Sequence, residues 1–147
     1  MSKIMYDSAL VIGMGLIGSS IARALKEKQL SKKIFAIEKN NDVISISNDL
    51  NLVDAIENDL NKYNQQFDII FICTPLSSYK DIFNQLNTYI NETTLLTDVG
   101  STKVSVIEDF KESVYYFIVD YLKDNIRVYE KYTFREFIYE DIYKTII

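Results

Sequence analysis

Residues 8–28, "SALVIGMGLIGSSIARALKEK", decide the fold. The segment opens with an apolar run at residues 9–12 that stops at a glycine, a pattern typical of a strand buried on both faces of a parallel sheet. Ile17, Ile21 and Leu25 then recur at every fourth position with charged residues among them, which predicts a helix with an apolar stripe. The segment therefore predicts a buried strand, a glycine turn and a helix in succession.

The alternation of strands and helices continues along the chain. Further strands are predicted at residues 33–38, 68–73 and 93–99, with a weaker strand or turn around residues 52–56. One helix is predicted through residues 43–46, capped by Asn40 or Asn41, and another through residues 79–90, capped by Ser77 or Ser78. This order is typical of an α/β protein with a doubly wound parallel sheet of the Rossmann type.

Three glycines between the first strand and its helix form the pattern G-x-G-x-x-G. Gly13 permits a tight turn, Gly15 lets the backbone approach a pyrophosphate, and Gly18 lets the helix pack closely on the strand. Unpaired amides and the positive end of the helix dipole then face the phosphates. The predicted cofactor-binding residues of this turn are Gly13, Met14, Gly15, Leu16, Ile17 and Gly18.

Glu38 ends the second predicted strand, about 20 residues beyond the last glycine. A carboxylate there accepts hydrogen bonds from the adenosine ribose and repels a 2′-phosphate, so NAD is favoured over NADP. Two alternatives stay open: Glu38 is a solvated charge at a strand end, or Lys39 beside it attracts a phosphate.

Composition excludes several classes of function. The chain has 16 basic and 21 acidic side chains and a net charge of −5, which opposes nucleic-acid binding. No apolar run approaches the roughly 20 residues of a membrane span. The single cysteine, Cys73, lies in an apolar strand and is expected to be a buried hydrophobe rather than a nucleophile. We expect a cytoplasmic protein without a metal site.

Three segments in order, "VIGMGLIGSSIARALKE", "DIIFICTPLSSY" and "TDVGSTK", resemble the nucleotide-binding half of prephenate and arogenate dehydrogenases. The resemblance covers residues 8 to about 107 and implies an NAD-binding domain at residues 1–107, followed by a divergent aromatic-rich tail at residues 108–147. That family oxidises the ring hydroxyl of prephenate or arogenate by hydride transfer to NAD(P), with loss of carbon dioxide, on the route to tyrosine.

The resemblance also implies roles for residues of the second half. Thr74 and Pro75 match the loop beside the nicotinamide ribose, although a turn that ends a strand needs only the proline. Ser101 matches the family serine that hydrogen-bonds the catalytic histidine and the substrate, and it could equally cap a helix after Gly100. Asp98 can orient this loop, and Lys103 is expected to be solvated.

The chain departs from the family after residue 107. No histidine is present, and residues 115–131, "YYFIVDYLKDNIRVYEK", stand where the family has its histidine-proline segment. The family's helical C-terminal domain, which closes the substrate pocket and forms the dimer, has no counterpart in this tail, where a strand at residues 115–119 and a helix at residues 133–142 are predicted. Either the tail is a divergent cap or the reading frame is lost near residue 115, and the second is favoured.

The resulting expectation is a dehydrogenase-type domain that binds NAD and is inactive alone. The alternative is a stand-alone NAD sensor or docking module without catalysis. Homodimerisation through the aromatic tail, and the choice between prephenate and arogenate, stay open at the level of sequence.

Overall fold

The computed structural model of the protein describes residues 4–91 and 93–100. Strands and helices alternate through this part of the chain, as the sequence predicts. The strands are β1 (Tyr6–Ile12), β2 (Ser31–Ile37), β3 (Ala55–Glu57), β4 (Ile69–Ile72) and β5 (Leu95–Asp98). The helices are α1 (Leu16–Glu27), α2 (Asn41–Asp49) and α3 (Tyr79–Leu86), with short 3₁₀ turns at Leu60–Lys62 and Leu76–Ser78.

The five strands form one parallel sheet in the order β3-β2-β1-β4-β5. The chain winds outward from β1 to β3, then crosses back to β4 on the other side of β1, so the winding reverses between β1 and β4. The predicted doubly wound Rossmann-type sheet is thereby confirmed. In folds of this kind ligands bind beyond the carboxyl ends of the strands at that reversal.

The core lies along the two central strands. All four residues of β4 are buried, as are the last four of β1, which is the pattern expected of strands covered on both faces. Tyr63 connects β2 and β3, because its hydroxyl donates to the Ala36 carbonyl at 2.9 Å and lies 3.2 Å from the Ala55 carbonyl. Burial raises the pKa of the Tyr63 phenol to about 12, so this contact is uncharged at neutral pH.

The predicted apolar stripe of α1 is wrong at Ile17, which is 50% exposed. The helix instead buries Gly18, Ala22 and Leu25, with Ile21 packed at the edge of the core. The reason is the close approach at Gly18, which turns that side of the helix toward the sheet and leaves Ile17 facing outward. Ile46 of α2 is likewise 55% exposed.

The two predicted helix caps have different outcomes. Asn40 caps α2, with its side-chain oxygen accepting the Asp42 N–H at 2.9 Å. Ser78 occupies the cap position of α3, but its side chain makes no capping hydrogen bond, and Ser77 lies one residue earlier. The prediction of a serine cap is wrong because the 3₁₀ turn gives Ser78 a helical backbone, with φ of −94° and ψ of −9°, whereas a capping side chain needs an extended one.

Several predictions lie outside the described residues: the roles of Ser101 and Lys103, the strand at residues 115–119, the helix at residues 133–142 and the domain limit at residue 107. Within the described ranges the longest helix, α1, has 12 residues, and none of these helices could cross a bilayer.

Candidate dinucleotide-binding site

Two of the three glycines are required by the fold itself. Gly13 has a φ of +92°, and a Cβ there would lie 2.9 Å from the Cys73 carbonyl oxygen. A Cβ at Gly18 would lie 1.9 Å from the Gly13 carbonyl oxygen, so α1 can pack against the turn only without a side chain at this position. These contacts match the predicted roles of a tight turn and close helix packing.

Gly15 differs from the other two glycines. It is exposed, its φ of −67° and ψ of −162° are accessible to any residue, and a Cβ there would meet no described atom within 4 Å. Neither packing nor backbone geometry in the described part of the chain therefore demands glycine at position 15. The open space at Gly15 lies at the N-terminus of α1, where a bound group would approach the backbone.

The first turn of α1 keeps its backbone N–H groups available. No side chain of the described residues caps the helix, and its first turn holds no acidic residue. The hydroxyl of Ser19 donates to the Gly15 carbonyl at 2.7 Å, and that of Ser20 to the Leu16 carbonyl at 2.7 Å, so neither occupies an N–H. Such a terminus favours an anion through its free donors and its dipole.

The side chains at positions 14, 16 and 17 differ in their exposure. Met14 is buried in the core at 3% exposure, whereas Leu16 is 86% and Ile17 50% exposed. The Met14 side chain is therefore part of the core, and only its backbone groups are available to a ligand at the turn.

Glu38 lies beside the turn, directly after β2, and is half-buried. One of its carboxylate oxygens, Oε2, accepts the Met14 N–H at 2.8 Å, and the other, Oε1, accepts the Asn40 N–H at 2.9 Å. The Glu38 backbone is itself held in place, because its N–H donates to the Glu57 carbonyl at 2.9 Å. The carboxylate is thus fixed in orientation at the edge of the turn.

A cleft of about 820 Å³ opens beyond the carboxyl ends of β1, β2, β3 and β4. It brings together five of the residues predicted from sequence, which are Gly13, Gly15, Glu38, Thr74 and Pro75. Lys39 also lines the cleft, so the alternative of a phosphate contact by this lysine stays open by position. The cleft lies at the reversal of strand order, where the fold predicts a ligand site.

Two further groups line the cleft and were not predicted. Asn58, Asp59 and Asn61 follow β3, while Ser77, Ser78, Asp81, Ile82 and Gln85 belong to the start of α3 and the turn before it. Residues 58–61 directly follow a parallel strand, so a firm assignment of β3 would have placed them at the ligand edge. The α3 residues carry no separate sequence signal.

Cys73 and Thr74 follow the carboxyl end of β4 and form part of the wall of the cleft. The Thr74 hydroxyl oxygen is buried and has no hydrogen-bond partner among the described residues. Burial, reinforced by the Asp98 carboxylate, raises the pKa of the Cys73 thiol to about 12. Cys73 is therefore a neutral thiol at physiological pH and unsuited to nucleophilic attack, whereas Thr74 offers an unused polar group to the cleft.

Asp98 orders the loop after β5, as expected from sequence. Its Oδ1 accepts the Gly100 N–H at 2.7 Å, and a Cβ at Gly100 would lie 2.8 Å from that same oxygen. The buried Tyr79 hydroxyl lies beneath this loop and lies 3.4 Å from the Ile72 carbonyl. Burial and the Asp98 charge raise the pKa of Tyr79, so it too stays protonated.

The family model described as prephenate dehydrogenase, nucleotide-binding domain, matches residues 21–120. The chain belongs to the prephenate dehydrogenase family. The match to the family model begins just after the glycine turn. The geometry of the turn and the family match are therefore separate observations on neighbouring segments. Together they assign the described part of the chain to the nucleotide-binding domain of this family.

Individual relatives agree with this prephenate dehydrogenase assignment. Prephenate dehydrogenase of Lactococcus lactis is 34% identical over 100 residues, which are 67% of this chain and 28% of that protein. Arogenate dehydrogenase of Synechocystis superposes with a TM-score of 0.63 at 28% identity, over 71% of this chain and 37% of that one.

The Aquifex aeolicus prephenate dehydrogenase, solved in complex with hydroxyphenyl propionate and NAD⁺, gives a TM-score of 0.66 at 24% identity over 74% of this chain and 38% of that one. At that identity the likeness concerns the fold. The chain thus spans well under half the length of these members of the prephenate dehydrogenase family.

Proposed function

We propose that this chain binds NAD in the cleft at the carboxyl edge of its sheet. The main support comes from Gly15. The described fold does not need a glycine at this position, which borders open space at the uncapped N-terminus of α1. A pyrophosphate accounts for it, because the phosphate oxygens must approach the backbone more closely than a side chain at this position allows. The two phosphates would accept hydrogen bonds from the first-turn N–H groups of α1.

The adenosine ribose would lie against Glu38. The carboxylate is fixed by two backbone N–H groups, and its oxygens retain acceptor capacity for the ribose hydroxyls. A 2′-phosphate in the same place would meet a like charge, so NAD is favoured over NADP. Lys39 beside Glu38 offsets part of this repulsion.

The nicotinamide ribose would lie near Thr74 and Pro75, across the reversal of strand order from Glu38. The buried Thr74 hydroxyl lacks a partner among the described residues and would gain one from a ribose hydroxyl. The residues present therefore fit a dinucleotide at both ends and at its phosphates. When bound, NAD would supply the hydride acceptor for oxidation.

We further propose that the domain belongs to an oxidoreductase acting on prephenate or arogenate, and that this chain by itself binds without turnover. Family membership supports this reading over that of a stand-alone NAD sensor. The chain contains no histidine, so it lacks the general base that the resemblance assigns to one. The part of the Lactococcus relative that this chain matches is 28% of that protein's length.

The test is calorimetric titration of the purified chain with NAD and with NADP, alongside NADH absorbance in the presence of prephenate or arogenate. The expected result is binding of NAD more tightly than NADP, with no substrate-dependent formation of NADH. Failure to bind either dinucleotide would refute the cofactor proposal. Turnover by the chain alone would refute its inactivity and make residues 108–147 a working cap.

A further inference from the structure

We propose that Glu38 is a positioning residue that holds the glycine turn in its binding shape before a dinucleotide arrives. This inference rests on the proposed function and adds a second role to the same side chain. The carboxylate accepts the Met14 N–H at 2.8 Å with one oxygen and the Asn40 N–H at 2.9 Å with the other. One side chain thus joins the turn after β1 to the turn after β2.

A backbone hydrogen bond near the strand ends also connects the two turns. The Gly13 N–H donates to the Ile37 carbonyl at 2.8 Å, which continues the β1–β2 ladder by one residue. Beyond that point the carboxylate continues the connection, with Met14 N–H on one side and Asn40 N–H on the other. Hydrogen bonds to an ionised acceptor are roughly twice as strong as neutral ones, so this bridge is a strong local constraint.

Both ends of the bridge are themselves anchored. The Met14 side chain is buried in the core at 3% exposure, and the Asn40 side chain caps α2 by accepting the Asp42 N–H at 2.9 Å. The bridge therefore links two fixed points, and the peptide between Gly13 and Gly15 is held between the core and the carboxylate. Gly15 and the N–H groups of the first turn of α1, which no side chain of the described residues caps, are thereby held in place.

The bridge does not use up the carboxylate. An ionised carboxylate has about four acceptor sites, of which the two backbone N–H groups occupy two. The remaining sites can accept ribose hydroxyls without breaking the bridge. Glu38 would thus bind the ribose hydroxyls and hold the glycine turn at the same time. A substitution of Glu38 made to admit a 2′-phosphate would therefore also loosen the glycine turn.

The two roles predict different effects on a dinucleotide without ribose hydroxyls. The variant is Glu38→Gln, whose single side-chain oxygen can accept only one of the two N–H groups. The matched control is Glu57→Gln, which removes the same charge one strand away, where Glu57 pairs with Lys62 at 2.9 Å and does not line the cleft. The probes are NAD and its analogue lacking the 2′- and 3′-hydroxyls of the adenosine ribose.

Glu38→Gln is expected to weaken binding of both probes, with a loss of about tenfold for the dideoxy analogue, as expected for one charge-assisted hydrogen bond. Glu57→Gln is expected to leave both affinities unchanged. A loss confined to NAD, with unchanged affinity for the analogue, would overturn the inference and leave Glu38 as a ribose contact only.

Amide hydrogen exchange in the ligand-free protein tests the bridge directly. The Met14 amide is expected to be protected in the parent and to exchange at least about tenfold faster in Glu38→Gln, while the Gly13 amide keeps its parental rate. A Met14 amide that is unprotected in the folded parent would overturn the inference without any variant. A parent that binds no NAD but protects Met14 would refute the proposed function and still support the bridge.

Discussion

Substitution of Gly15 should separate binding from folding. Alanine at position 15 meets no described atom within 4 Å and adopts the observed φ of −67° without strain, so the free energy of unfolding should stay within about 0.5 kcal/mol of the parent. Gly18→Ala is the opposite case, because its Cβ would lie 1.9 Å from the Gly13 carbonyl, and overpacking of this kind costs about 1–3 kcal/mol. Urea unfolding of both variants measures this difference.

The effect of Gly15 on binding should be large despite its small effect on stability. Valine at position 15 places a branched side chain where the pyrophosphate would approach the α1 terminus. Loss of one hydrogen bond to a charged phosphate costs about 1.5–3 kcal/mol, which corresponds to about 10- to 150-fold in affinity. Calorimetric titration with NAD measures it, with Gly15→Ala as the smaller step. A folded Gly15→Val protein with parental NAD affinity would show that no pyrophosphate approaches the backbone at position 15.

Two further predictions concern the wall of the cleft. Thr74→Val removes a buried hydroxyl that lacks a partner among the described residues, so it should raise the free energy of unfolding by about 1 kcal/mol. The same substitution should weaken NAD binding. An unchanged NAD affinity would show that Thr74 does not contact the ligand. The pKa of Cys73 is raised to about 12, so alkylation of its thiol by iodoacetamide near pH 8 should be at least about a hundredfold slower than that of a free thiol. The alkylation rate should still increase with pH above pH 9. Alkylation at the rate of a free thiol would contradict the burial of Cys73.

The glycine turn and the central strands could be predicted because their signals are local. The apolar run at residues 69–72 predicts the buried strand β4, and the structure has all four of its residues buried. The spacing from Gly18 to Glu38 predicts that Glu38 lies at the same edge of the sheet as the glycine turn, where both line the cleft. Glu38 was predicted from this spacing alone. Its bond to the Met14 N–H was not, because a contact between two turns depends on the exact path of both.

The errors came from features that depend on tertiary packing. Ile17 fits a four-residue stripe, but the contact of Gly18 with the Gly13 carbonyl turns the helix so that Ile17 faces outward. β3 has only three residues, too few for a periodic signal, so Asn58 and Asp59 after it could not be placed at the ligand edge. Pro75 predicted where β4 ends, but it did not predict the 3₁₀ turn that follows and that includes Ser78.

Binding of NAD at the carboxyl edge of the sheet can be tested by an amide chemical-shift titration of the isotope-labelled chain with NAD. Large shifts are expected for the amides of Gly13, Leu16 and Thr74. No shifts are expected for Tyr6 and Asp68, which lie at the amino ends of β1 and β4 on the opposite edge. Absence of shifts at saturating NAD, or shifts centred on the amino edge, would contradict binding at the carboxyl edge.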